Sequence, residues 1–429
     1  MNEFEQNIRK SINALDSKVF PLKEVKKIIS NIQKNIKITP KPLNDLKSWG
    51  FEEKTGNFAH VSGKFFSIRG MEFNGETFPI IVQPEVGILG MLCSSIDGVL
   101  HFLMQLKIEP GNENGVQLAP TVQATKSNFS LVHGGELPNY LEFFLLTRNS
   151  ITISDQYQSE QGWRYYKKRN RNMIMYSNIN PTQDKTHIWL TLGQIRILAN
   201  TPLLLNSCSR SVLSMLPKFS KNTYAVYTIS EIYTRLIDFK ETVTHKEKIT
   251  ALLNVDGWSK GSGVYNSNLF KISILGFDIE GGEREVNKWS QPLIKESNVG
   301  EYGLIIGTIN NIPHVFWKLR HEPGLNDKVE FGATWINRSG YLDCDDILIS
   351  AISKGKTLEN IKLAEEGGRF FHSNFFHRII KVGEVSSNFL GNEFIPMTAL
   401  QTQYFISMPS MVTIEARSLW YLCKEEWFD

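Results

Sequence analysis

Cysteine is scarce in this chain, with four in 429 residues, at positions 93, 208, 344 and 423, and no CxxC pair among them. That spacing excludes a disulfide framework and a cysteine-rich metal site, and it favours a reducing compartment. An excess of either charge is also missing, since 47 Lys and Arg face 44 Asp and Glu for a net +3. No field of the kind that gathers nucleic acid or anionic membrane covers the molecule, so any anion site is local. No window approaches the roughly 20 apolar residues of a membrane-spanning helix. The opening MNEFEQNIRKSINAL carries acids where a secretory signal has an apolar run. A dinucleotide fingerprint, a phosphate loop and an HExxH pair are all absent. His372 and His377, five apart among aromatics, make a poor ligand pair. The expectation is a cytoplasmic protein with no metal, no cofactor, no nucleic-acid partner and no membrane.

What is present is a duplication. Pro79 to Thr121 and Pro292 to Thr334, laid over each other without a gap, agree at 13 of 43 positions. Among these are Gly87/Gly300, Gly90/Gly303, His101/His314 and the Glu-Pro-Gly that begins at Glu109 and again at Glu322. The order of motifs continues: SEQGWRYY around Gly162 answers EEGGRFF around Gly368, and Ser209-Arg210-Ser211 answers Ala416-Arg417-Ser418. Self-similarity at this spacing means one folding unit used twice. With 41% hydrophobic residues, each half can fill its own core.

The spacing of Phe4, Ile8, Ile12 and Leu15 predicts a helix, and Val25, Ile28, Ile29 and Ile32 predict a second after Pro21. Residues 1–45 read as an unduplicated helical arm that docks on the body or on a second subunit. The first repeat is expected over 46–233, a connecting helix over 234–258 and the second repeat over 259–429. HFLMQLKIEP from His101 and HVFWKLRHEP from His314 read as strands that stop at a Pro-Gly turn. Each repeat closes with helices, the first through Leu192, Ile195 and Leu198. The fold class is therefore α+β: two units, each a mixed sheet flanked by helices.

Gln117, Thr121, Gln123 and Thr125 alternate along the segment after Gly115, with Lys126 and Asn128 following. On a strand the odd-numbered residues would share a face of amides and hydroxyls, suited to a sugar or equally to solvent at an edge. KKRNRN, 167–172, places Arg169, Asn170 and Arg171 where forked donors could hold a diphosphate, or simply line a basic turn. His133 precedes Gly134-Gly135, with Tyr140 beyond; it is an acid–base candidate or a structural histidine. Glu109, present again as Glu322, braces a turn or acts as a base.

EPGNENGVQLAPTVQATKSN, then HGGELPNYLEFF, then QSEQGWRYYKKRNRNMI resemble the NDP-hexose 2,3-dehydratase family of deoxysugar biosynthesis, and the likeness covers almost the whole chain. GGEREVNKWSQPLI and VTIEARSLW extend it through the second half. The resemblance implies tandem Nudix-like domains, a homodimer, and a dTDP-linked 4-keto-6-deoxyhexose as substrate. Arg284-Glu285-Val286 continues as Asn-Lys-Trp, without the glutamates of a hydrolase metal cluster, which disfavours pyrophosphate hydrolysis. The second copy reads VEFGATWIN where the first reads VQLAPTVQA, so the working site is expected in the first. Trp289 and Gln291, without counterparts in FNGETFPII, would serve a second nucleotide site or domain packing.

The implied reaction needs no redox cofactor. A base takes the C3 proton that the 4-ketone acidifies, the 2-hydroxyl leaves as water, and the enol becomes a 3,4-diketo-2,6-dideoxy sugar. The expected assignments are His133 or Glu109 as base and Lys126 or Tyr140 as donor to the ketone. Gln117, Thr121, Gln123 and Asn128 would bind sugar, and Arg169, Asn170 and Arg171 the diphosphate. A non-catalytic nucleotide-sugar-binding protein and an epimerase or isomerase are the alternatives.

Overall fold

The computed structural model describes residues 3–32, 36–126, 137–179, 184–218, 224–244, 246–259, 264–266, 271–281, 288–296, 299–338 and 341–428. Its architecture is built on two hairpins of the same design. Gly87–Ile96 and Val99–Ile108 are joined by Asp97-Gly98, and Gly300–Ile309 and Ile312–His321 by Asn310-Asn311. All four turn residues have positive φ, the backbone of a two-residue turn whose twist matches that of the strands it joins. A parallel strand lies beside the first strand of each hairpin: Arg169–Tyr176 in one copy, Asn374–Glu384 in the other. Further strands complete a seven-stranded and an eight-stranded mixed sheet, and two five-stranded sheets accompany them among the described residues.

Each hairpin opens into a fork, and a threonine holds it. Beyond Leu92 and Leu103 the paired strands separate; Val116–Ala119 pairs with one arm and Val122–Ala124 with the other. Thr121 sits at the branch, accepting from Leu92 N at 2.8 Å and donating to Leu103 O at 2.5 Å. Thr334 makes the same two bonds, from Ile305 N at 3.0 Å and to Phe316 O at 2.6 Å. The stretch read as one strand with a polar face is thus two strands with different partners. Thr121, buried and fully engaged, is a structural clasp and not a sugar binder.

The copies are interlocked. Ile36–Lys41, which precedes the first copy, pairs with Lys271–Gly281 of the second, while Glu247–Thr250 pairs with Ser67–Phe73 of the first. The linker expected to be helical over 234–258 is a helix only over Ile229–Thr242; the exchanged strand and a 3-10 turn follow it. The same order of helix, strand and 3-10 turn occurs at Leu22–Asn31, Ile36–Lys41 and Leu43–Asp45. The arm therefore has a counterpart from residue 22 onward. Its first helix, Glu3–Asn13, docks on its own body: Ser11 Oγ receives Leu192 N at 2.9 Å and donates to Leu100 O, and Ala14 O lies against Gly193.

At the seam each Glu-Pro-Gly turn enters a turn of the other copy. Gly111 N donates to Gly367 O at 2.7 Å, and Lys167 N to Gly324 O at 2.7 Å. A Cβ at Gly111 would lie 1.8 Å from Phe370 O, and one at Gly324 1.9 Å from Tyr165 O, so only glycine fits either place. The helices Ser207–Leu213 and Ile414–Leu422 cross nearby, with Arg210 bonded to Ser418 Oγ and Arg417 Nε to Ser211 Oγ at 2.9 Å. Apolar residues of both copies form one continuous core. The bridges Ile81 to Tyr165 and Ile294 to Phe370 equate Gly162 with Gly367, one residue earlier than the match to Gly368 read from sequence.

Candidate active site

Polar side chains gather at two places along the pseudo-symmetric seam, one beside each Glu-Pro-Gly turn, and a cavity between Trp163, Arg164, Glu296, Arg338 and Phe370 opens at the second. In the first, Glu109 stands at the end of Val99–Ile108 and turns toward Gly368 of the other copy. Gln123 Nε2 approaches Glu109 Oε1 at 3.5 Å, and Asn206 Nδ2 donates to Gln123 Oε1 at 3.0 Å. Asn206 caps the next helix through Ser209 N at 2.8 Å, which fixes its orientation. Lys107 Nζ reaches Gln123 O at 3.3 Å. Cys208, on the helix that Asn206 caps, is buried. Burial raises its thiol well above the usual value, followed by the carboxylates of Glu366, Glu160 and Glu109, with Lys107 opposing.

Glu160 and Glu366 come from different copies, as does the bond between Tyr165 and Glu366: the phenol donates to Glu366 Oε2 at 2.8 Å. Asn170 Nδ2 donates to Glu160 Oε1 at 2.6 Å. Burial first, and then the Glu366 carboxylate, push Glu160 up to about 7 against Lys168, Arg417 and Asn170. Lys168 donates to Glu85 O and is itself lowered, chiefly by burial, to about 8. A buried carboxyl such as Glu160, with raised affinity for a proton and a second carboxylate acting on it, is the raw material of acid–base chemistry. None of Glu160, Glu366, Tyr165 and Lys168 was singled out from sequence. The available signal was that SEQGWRYYKK and EEGGRFF carry acids at matched places beside a repeated turn.

The second pocket has the same frame and different contents. Glu322 Oε2 accepts from Gly162 N at 2.9 Å, the turn-bracing role, exerted on the other copy. Ile336 and Thr413 stand where the first pocket has Gln123 and Asn206, Glu415 where it has Cys208, and Glu330 where it has Gln117. Glu365 is bonded by Gln161 Nε2, and Arg164 lies 3.5 Å from Glu365 and 3.0 Å from Glu296. Burial and then Glu415 raise Glu322 to about 8.

The other sequence candidates scatter. Gln117 is buried and spends its amide on Leu203 O at 2.8 Å. Tyr140 donates to Asp184 Oδ2 at 3.0 Å, beside the Asp184–His187 pair, and is a structural tie rather than a ketone donor. Arg171 Nε is held by Asp155 at 2.7 Å, and Asn170 receives Gly87 N at 3.2 Å besides holding Glu160, so neither is free for a diphosphate. Arg169 is half-buried at the start of that strand, and Lys126 is exposed. Trp289 donates to Gln291 at 2.8 Å and Gln291 to Gly368 O at 2.9 Å, a tie between strand and turn in the second copy. His133 and Asn128 lie outside the described residues.

No helix among the described residues is long and apolar enough to cross a membrane. The profile of the NDP-hexose 2,3-dehydratase family matches twice, over residues 23–216 and 230–422. A dTDP-4-dehydro-6-deoxy-alpha-D-glucopyranose 2,3-dehydratase of Amycolatopsis orientalis is 34% identical over 88% of this chain and 84% of its own. Proteins of the same name from Saccharopolyspora spinosa and Streptomyces violaceoruber are each 32% identical, covering 88% and 89% of this chain and 86% and 92% of theirs. Two successive matches in register with the structural duplication, and relatives aligned along most of the length, establish that this chain belongs to the NDP-hexose 2,3-dehydratase family.

Proposed function

We propose that the protein removes water across C2 and C3 of dTDP-4-keto-6-deoxyglucose and that the first pocket does this work. The observation that carries the choice of pocket is the chain of Lys107, Glu109, Gln123 and Asn206, whose amides have no equivalent in the second copy. A sugar hydroxyl needs both a donor and an acceptor, and amides supply both. Loss of the C3 proton puts charge on the C4 oxygen. A donor to an oxyanion in a water-poor site is worth about 3–4 kcal/mol, and Lys107 takes the place first given to Lys126. Arg169 is the first-copy cation assigned to the diphosphate. His133 and Glu109 keep their places as sequence-derived candidates for the base, and Asn128 as a sugar binder. The reading includes a cytoplasmic homodimer; the edge strand Ile151–Ser159, with Ile151 and Tyr157 exposed, offers a pairing surface, and sedimentation velocity measures it.

Mass spectrometry of dTDP-4-keto-6-deoxyglucose incubated with the protein in D₂O, with no cofactor added, tests the reaction. Loss of one water with deuterium entering at C2 is expected. Solvent exchange without loss of mass would replace dehydration by isomerisation, and binding without change would leave a nucleotide-sugar-binding protein.

A further inference from the structure

The first pocket carries Glu160 and Glu366 at the two places across the seam where the second carries Glu365 and Gln161, a carboxyl and an amide in direct contact. Glu160 follows the strand Ile151–Ser159 and is 8% exposed, while Glu366 leads the Gly367 turn of the other copy and is half-buried. Their pseudo-symmetric counterparts are Glu365 and Gln161. The backbone fixes this equivalence: Glu160 N donates to Lys168 O at 3.0 Å and Glu365 N to Ser373 O at 2.9 Å, and Lys167 and His372 share a positive φ. In the second pocket the Gln161 amide donates straight to the Glu365 carboxylate. The first pocket presents a carboxyl at each of those two places, and two carboxyl groups bond only if one of them holds a proton. Asn112 points to a ligand beside them. It is 7% exposed, its amide donates to Gly115 O at 3.0 Å, and its Oδ1, without a hydrogen-bond partner among the described residues, lies against Gly367 next to Glu366.

Resting on the proposed reaction, we infer that Glu366, supplied by the second copy, and not the sequence-derived candidates His133 and Glu109, is the catalytic acid–base group of the first pocket, with Glu160 as the partner that shares its proton and Tyr165 as its positioning residue. The proton count closes. The pair starts with one proton and takes H3 on the ionised oxygen as the C3–H electron pair moves toward the C4 ketone. It then gives a proton to the 2-hydroxyl, whose C–O electrons leave with water, and the C2=C3 bond forms. The pair again holds one proton. The enol loses its 3-OH proton and gains one at C2, so no oxidant or reductant takes part. In the gluco configuration H3 and the 2-hydroxyl lie on the same face of the ring, and one carboxyl pair can serve both. The charged and titratable groups around the pair are Lys168, Arg369, Arg417, Tyr165, Cys208, Glu109 and Lys107.

Glu366→Gln tests the assignment, and the existing Gln161–Glu365 contact shows that this frame accepts an amide there. In E366Q, kcat for water loss from dTDP-4-keto-6-deoxyglucose should fall by at least about 10², the scale of a general acid or base, while the Kd for the same nucleotide sugar stays near the parent value. Tyr165→Phe should lower kcat less and displace the pH profile of kcat, which a merely structural phenol would leave in place. An E366Q rate close to the parent's overturns the assignment and leaves the reaction standing. A parent protein that binds the nucleotide sugar and releases no water overturns the reaction and the assignment together. Should E366Q fail to melt as a folded protein, Glu366→Asp replaces it: a reduced rate with a displaced pH profile upholds the assignment, and a parent-like profile overturns it.

Discussion

The two copies share a backbone and differ in what they enclose. Thr121 and Thr334 clasp the two forks in the same way, Gly111 and Gly324 enter the opposite turns, and Arg210 and Arg417 cross at the axis. The walls of the pockets diverge. Amides and facing carboxyl groups line the first, whereas ion pairs and an aliphatic side chain close the second. An internal duplication thus carries its own control: what both copies keep belongs to the architecture, and what one copy alone has is the place to look for chemistry. Glu109 and Glu322 show that a shared residue can still differ in role, because Glu322 stands among Glu415, Glu330, Arg320 and Arg338.

The seam itself should give the largest effect. Gly111→Ala and Gly324→Ala drive a methyl group into the carbonyls of Phe370 and Tyr165, whose peptide units are held by Phe371 N donating to Ile294 O and Tyr166 N to Ile81 O, so relief requires the copies to part. Each should cost more than about 3 kcal/mol, read as loss of soluble protein or of the melting transition. A normal melt for either variant would mean that the interlock is looser than the geometry indicates.

The next prediction separates the pockets by activity. Glu109→Gln, which removes the carboxylate that Gln123 Nε2 approaches in the first pocket, should lower kcat/KM for dehydration by about tenfold to 10², the scale of one hydrogen bond to a charged group, while Glu322→Gln should leave it within about twofold. Equal losses would erase the functional difference drawn between the copies. Smaller still is the clasp: Thr121→Val and Thr334→Val each leave a buried N–H and a buried C=O without their threonine partner, at about 1–3 kcal/mol per site. Denaturant midpoints should fall by similar amounts in both, since the two threonines make the same pair of bonds.

Much of this frame was readable in the sequence because its signals are local. The runs that end in Glu-Pro-Gly became strands, and the offset of the repeat became the offset of the structure. The exchanged strands could not be read, because Ile36–Lys41 carries no mark of the partner it will pair with. KKRNRN misled for a related reason: six adjacent polar residues suggest a single surface, yet the strand sends Asn170 inward and leaves Arg171 with Asp155. Glu160 and Glu366 are 206 positions apart, and only the seam brings them together.

The finest test of the comparison is a pH dependence. Burial and the neighbouring Glu415 hold the Glu322 carboxyl at about 8, whereas an ordinary glutamate loses its proton near 4.5. Below about 4.5 the folded and unfolded chains both carry this proton, and its contribution to stability is fully present. As pH rises toward 8 the unfolded chain releases the proton and the folded chain retains it, so the contribution declines until the folded carboxyl ionises as well. Glu322→Gln keeps an oxygen for Gly162 N and cannot ionise. Its melting temperature relative to the parent should therefore climb from pH 4.5 to about 8 and then level. Glu296→Gln should behave oppositely: against the upward push of burial, Arg164 and Arg338 hold Glu296 down at about 2, so the parent is favoured at neutral pH and loses that advantage as pH falls through the acid range. Parallel pH profiles for the two variants would show that the acids of the second pocket are not divided as their surroundings dictate.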